Sequence, residues 1–391
     1  MSLRRGAGAG PARGRRGAGV GPAWGRLDPG AGRSVAQVPG PQPAAPSPVD
    51  YDLAVATARR LAPAPPQVSW QEAGEIVTEL RHLAVEAEEH VRAVTGLTPP
   101  GPILEATVVD RPGWAAANVE GFKVVLEPVV AKLRDTKPNA AAAAITAKVA
   151  GVQMGSVLGW LSGKVLGQYE AFTAQGTPGR LILVAPNIVE TERRLGVDPQ
   201  DFRLWVALHE VTHRTQFTAV PWMHDHVRGE IGALLSAASL DDPSALLQRL
   251  KDVATGLPRG GSFVELVQTP AQRVVLERVT AFMSLLEGHA EHVMDGVGPA
   301  VVPSVVQIRA RFDERRKDHG GLLDRFLRKA LGLDLKALQY AEGKAFVDTC
   351  VGAVGMEAFN RVWESPETLP TRQEIRDPLA WVRRLHGPAA A

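Results

Sequence analysis

The residues most able to do chemistry sit in the stretch Leu204-Trp205-Val206-Ala207-Leu208-His209-Glu210-Val211-Thr212-His213-Arg214. His209 and His213 are four apart, so on an α-helix they share one face and can grip one metal ion. Glu210 follows the first histidine and can reach a water polarised by that metal, where a carboxylate serves as general base. A random H-E-x-x-H match is expected in about one or two of a hundred chains of this composition. Its surroundings are helical. Asp198 and Pro199 are a helix-start pair, with Asp201 in the first turn. Phe202, Trp205, Val206, His209 and His213 then form one stripe at helical spacing that turns inward, and Pro221 closes the segment.

Two histidines do not complete a catalytic zinc site, which takes three protein ligands and leaves a fourth position open. The longer H-E-x-x-H-x-x-G-x-x-H pattern is missing, since Gln216 and Ala219 occupy its last two places. His224 and His226 lie past Pro221, where substrate-binding residues or, more simply, surface turn residues are expected. A helix from about Gln272 to Asp295 offers a better donor. Its Glu287, Glu291 and Asp295 continue one face of a helix with an apolar approach, and buried carboxylates need a partner or a metal. Glu287 is the expected third ligand, with Glu291 as an acceptor that orients one of the histidines; His289 or His292 is the rival ligand. Gly288 would let this helix approach another closely. An oxyanion donor is also needed, and Tyr340, one of three tyrosines, is the nominee, with His319 behind it and a structural tyrosine as the plainer alternative.

The elements that must position these groups read as mainly α with a small β component. Helices are expected at Asp50–Leu61, Trp70–Val94 and Trp114–Leu133, then a long Ala/Gly-rich one over Ala140–Phe172. In the last, the apolar run between Lys148 and Lys164 is too short for a bilayer and reads as a buried helix packed closely through Gly151, Gly155 and Gly159. Arg180–Val184 is the clearest strand, either an ordinary structural strand or one with a free edge on which a peptide could pair and lie across the metal. Asp110 and Arg111 are expected to cap or pair before a helix. Basic Val305–Lys317 is expected to be a salt-bridged, solvated helix, and Leu335–Val351 and Leu369–Leu385 complete the chain.

The 391 residues carry 44 Lys and Arg against 42 Asp and Glu, so no charge field for nucleic acid or membrane follows. Cys350 is the single cysteine, which excludes an internal disulfide or a Cys-type zinc site and suits a cytoplasmic location. Residues 1–48 are a Gly/Ala/Pro/Arg-rich tail read as disordered, with no apolar run after Arg4-Arg5 or Arg15-Arg16 to make an export signal. Residues 49–391 are the helical body, divisible into an N-terminal lobe over 49–197 and a metal-binding lobe over 198–391.

H-E-x-x-H with Glu287-Gly288 some seventy residues later resembles the gluzincins, in which a downstream helix supplies the third ligand and an acid four residues on, here Glu291, supports a zinc histidine. The stretches Phe202–Phe217, Pro221-Trp222, Leu286–Ala290, Asp295–Gly298, Lys336–Tyr340 and Leu369–Thr371 more closely resemble an actinobacterial zincin-like metallopeptidase (type 2) family, often labelled as associated with deazaflavin-coenzyme biosynthesis. The resemblance, over about residues 49–385, implies a zincin-like fold, bound Zn2+ and a peptide or small amide substrate, while the biosynthetic label supplies no substrate of its own. A catalytically inactive, zinc-stabilised scaffold is the alternative. Oligomeric state is not legible.

Overall fold

The computed structural model describes residues 47–102, 104–134, 140–173, 179–237, 270–317 and 333–387. Residues 1–46 of the tail and His319 lie outside the described residues, as does the side chain of Tyr340. The first two helices start and stop where local chemistry says they must. Helix α1 (Tyr51–Leu61) is capped by Asp50, whose side chain accepts from Leu53 N at 3.0 Å. Helix α2 (Trp70–Thr95) is capped by Ser69 and ends at Gly96, whose φ of +68° is left-handed.

Strand β1 (Thr107–Val109) leads into α3 (Arg111–Arg134), where the Asp110 carboxylate accepts from Gly113 N at 2.7 Å. Arg111 is buried and does not pair locally: it holds Asn187, Glu190 and the carbonyls of Pro63 and Ala64. Helix α4 spans Ala140–Leu161. Gly151, Gly155 and Gly159 press against the backbone of Asp50, Ala54 and Ala58, so the expected close packing is found, on α1.

Two expectations for this region are corrected. The helix does not run on to Phe172; it ends in a turn where Ser162 Oγ donates to Gly159 O at 2.7 Å, and Gly167–Glu170 form strand β2. Nor is α4 buried all round. Its far face exposes Ile145, Val149 and Val152, and Ala141–Leu161 is long and apolar enough for a bilayer span, a test that core helices of soluble proteins also pass.

Strand β3 (Arg180–Val184) is the centre of a three-stranded sheet of order β1-β3-β2, parallel to β1 and antiparallel to β2. It therefore has no free edge, and of the two sequence readings the ordinary structural strand holds; β1 and β2 occupy the edges. Leu181 and Leu183 enter one hydrophobic cluster while Ile182 and Val184 enter another, so helices cover both faces. Glu170 and Arg180, opposite each other across β2 and β3, form an ion pair with Glu170 buried. Helix α5 (Ala185–Leu195) follows at once, and buried Asn187 donates to Ser162 O at 2.7 Å and Val165 O at 2.6 Å.

The remaining helices are α6 (Pro199–Ala219), α7 (Met223–Ala237), α8 (Pro270–Val297), α9 (Val305–Lys317), α10 (Leu333–Phe359, kinked at Gly355), α11 (Arg372–Arg376) and α12 (Pro378–His386). Helix α6 packs its apolar residues with those of α2 and the end of α8 into the largest core cluster. A second cluster joins the middle of α8 to α10 and the C-terminal segment around Trp363 and Trp381. The described residues belong to one unit, 45–391.

Candidate metal centre

Helix α6 is fixed at its start by Asp198, whose carboxylate accepts from Asp201 N at 2.9 Å, and by Pro199 in the first turn. Its far side is tied down by buried ions. Arg203 makes two hydrogen bonds to Glu192, at 2.9 and 2.6 Å, and Arg214 pairs with buried Glu88. What this rigid helix presents inward is the histidine pair.

The two imidazoles stand perpendicular, with centroids 4.7 Å apart and His213 Nε2 3.2 Å from His209 Nε2. Glu287 of α8 brings Oε2 to 3.5 Å from His209 Nε2 and 3.6 Å from His213 Nε2. A tetrahedral cation with bonds near 2.05 Å separates its ligand atoms by about 3.3 Å. The three observed spacings bracket that edge, so the residues fit a small tetrahedral cation. Among the described residues these three are the group able to hold a metal.

Glu210 is only 7 % exposed and lines the same cavity. Burial pushes its carboxyl up to about 7, with His213 opposing and Glu287 assisting. For His213, burial disfavours the cation, but Glu287, Glu210 and Gln216 outweigh it and lift the imidazole to about 9. Glu210 is crossed by strand β2: a Cβ on Gly167 would lie 2.6 Å from Glu210 Cγ and 2.8 Å from Cδ. Only a glycine leaves that carboxylate its place.

The rival ligands are engaged elsewhere. His289 is buried, with Nδ1 at 3.0 Å from Gln216 Nε2, and burial drives its imidazole down to about 3, helped by His292 and His213. His292 Nδ1 lies 2.6 Å from Asp348 Oδ1. Glu291 also lines the cavity, and its Oε2 accepts from Arg309 at 2.7 Å; Arg309 reaches Asp295 at 2.7 Å too. The basic α9 helix is thus salt-bridged at Arg309, as expected. The group beside His213 Nδ1 is Gln216 Oε1, at 2.9 Å. Sequence reasoning missed Gln216, noting it only as a departure from a longer pattern, although it lies three residues from His213 on the same face.

His224 and His226 are corrected from turn residues to the first turn of α7, half-buried against rings. His224 contacts Phe217, and His226 contacts Trp222 and Phe282 and lines the cavity. Burial lowers both imidazoles below the usual histidine range. The cavity is about 790 Å³, between β2 and helices α3, α6, α7 and α8. Much of its wall is apolar, supplied by Phe122, Phe172, Phe217, Val279, Phe282 and Met283.

A helix bearing two histidines, a carboxylate from a second helix and a strand crossing above is the arrangement of a zincin-type metal centre. The chain belongs to the zincin-like metallopeptidase family, whose sequence model matches residues 49–382. It is also similar to the crystal structure of a candidate hydrolase with a novel fold from Chloroflexus aurantiacus, at 32 % identity and a TM-score of 0.62, over 86 % of this chain and 98 % of that one. No curated protein sequence matches the chain. The family implies a metal-dependent hydrolase.

Proposed function

We propose that the protein is a zinc-dependent hydrolase of peptide or amide bonds. The observation that carries this reading is the set of three donor atoms at 3.2, 3.5 and 3.6 Å from one another with a buried carboxylate beside them. His209, His213 and Glu287 would hold the ion. Bound there, a zinc ion would supply Lewis-acid polarisation of the scissile carbonyl and a water acidic enough to lose a proton near neutrality. Glu210, buried beside the ligand set, would take that proton and return it to the leaving amine. The outer edge of β2 runs past Glu210 and offers backbone groups to an extended peptide. The apolar wall then receives apolar side chains. Glu291, held by Arg309, supports the centre from the ligand helix, and Tyr340 remains the nominee for the oxyanion. A single buried thiol suits work in the cytoplasm.

Metal content and peptide cleavage, measured on wild type, Glu287→Ala and Glu210→Gln, test the reading. Wild type should bind about one zinc per chain and cleave a mixed peptide library. Glu287→Ala should lose or loosen the metal, while Glu210→Gln should keep it and lose hydrolysis. Zinc-free wild type, or a Glu210→Gln variant as active as wild type, would refute the mechanism. Zinc binding without cleavage by wild type would favour the scaffold instead.

A further inference from the structure

The metal-facing histidines are held by more than their own helix, and the buried polar chain behind His213 shows how. Gln216 and His289 are both fully buried. Gln216 Nε2 lies 3.0 Å from Leu286 O, the carbonyl of the residue before Glu287. A carbonyl can only accept, so this contact fixes which end of the Gln216 amide is NH2 and which is oxygen. The oxygen therefore faces His213 Nδ1 at 2.9 Å, and Nδ1 must carry the proton. That leaves Nε2 of His213 facing the centre, where His209 Nε2 and Glu287 Oε2 converge, as the atom that would give its lone pair to the ion.

The second Gln216 N–H points at His289 Nδ1, 3.0 Å away, which accepts it. His289 then bears its proton on Nε2, an atom with no hydrogen-bond partner among the described residues, enclosed by the rings of Phe359 and Trp363 at centroid distances of 6.1 and 5.3 Å. Two acceptors on one NH2 group hold the amide in a single orientation. A turned-over Gln216 would present N–H groups to His213, forcing its proton to Nε2 and blocking the ligand atom.

The geometry points to Gln216 as the positioning residue of the metal centre: locked by Leu286 O and His289, it sets the tautomer of His213 and joins the two ligand-bearing helices behind the ion. This rests on the proposed metal site. It also gives the i+3 glutamine and the buried histidine, neither a ligand, a shared task.

The test measures zinc affinity by competition with a chromophoric chelator, and the visible spectrum after cobalt substitution, on the full chain. Gln216→Leu, folded by circular dichroism, should bind zinc about 10–100-fold more weakly, the usual cost of losing such a partner. Gln216→Glu keeps an acceptor at His213 but loses both N–H groups and sets an oxygen against Leu286 O, so it should bind zinc more weakly than wild type. Affinity and spectrum unchanged in Gln216→Leu would overturn the proposal. If Gln216→Leu does not fold, His289→Phe decides. It removes one of the two acceptors, so affinity should fall about fivefold, and unchanged affinity with an unchanged spectrum overturns the proposal. Wild type without metal affinity sinks both readings; a metal-binding wild type matched by Gln216→Leu sinks this one alone.

Discussion

Substituting Gly288 by alanine puts one methyl group into the tightest helix crossing behind the metal centre. A Cβ there would stand 2.6 Å from Lys344 N on α10 and closer still to the backbone of Gly343, whereas ordinary contact begins at 3.4 Å. Those atoms are backbone and cannot rotate away. Restoring contact needs a separation of α8 from α10 of about 0.8 Å or more, from 2.6 to 3.4 Å. Overpacking on that scale costs about 1–3 kcal/mol. Glu287 is the next residue, so its carboxylate moves with the helix while the histidines, anchored on α6, stay. Displacements near 1 Å reduce catalysis by roughly a hundredfold, and metal bonds tolerate only about 0.2 Å. Gly352→Ala, on α10 with nothing near its Cβ position, is the control. Thermal unfolding and zinc affinity are the assays. We expect Gly288→Ala to unfold earlier and bind zinc more weakly, and Gly352→Ala to do neither. Wild-type melting and affinity in Gly288→Ala would refute the crossing as the device that places Glu287.

Gly167→Ala should separate binding from chemistry, because its Cβ meets Glu210 and not the three donor atoms. Zinc content should be retained and peptide hydrolysis largely lost; loss of zinc instead would show that β2 shapes the ligand set. Cys350 is buried, and burial with Glu374 nearby pushes its thiol up to about 12. At pH 8 that leaves about one thiolate in ten thousand, so a thiol reagent should label it only after unfolding; rapid labelling of the native protein would contradict the packing.

The metal helix was legible because its signals agree: a cap, a proline in the first turn, an apolar stripe and two histidines on that stripe. Helix α8 was legible from its apolar approach and the carboxylates sharing one face, and Gly288 correctly marked a close approach, to Gly343. The sheet was harder. Strands of three and four residues, β1 and β2, are too short for alternation to show, and β2 lies in an Ala/Gly-rich stretch whose composition favours helix. Their pairing with β3 is a tertiary event, and it overrode local propensity. Composition likewise placed α4 in the core, yet its glycines serve only one face. Gln216 escaped notice because a buried amide gains meaning only from its partners. Two of those, His289 and Leu286, lie on α8 and can be identified only once α6 and α8 are seen together.

Strand β3 poses a coding problem that its neighbours solve. Leu181 to Val184 are apolar on both sides, so sliding by one residue would exchange one oily face for another with little penalty from polarity. The alignment is set by stops at either end. At one end Arg180 meets Glu170; at the other, α5 begins immediately, and Asn187 catches two carbonyls of the link between α4 and β2. With the ruler stopped at both ends, β2 is indexed to the residue, and it is Gly167, not the bulkier Leu166 or Gln168, that arrives over Glu210. An insertion in the connection between β2 and β3 would leave this indexing intact. A single deletion inside β3 would shift it, and a side chain would then arrive where the carboxylate needs an empty space.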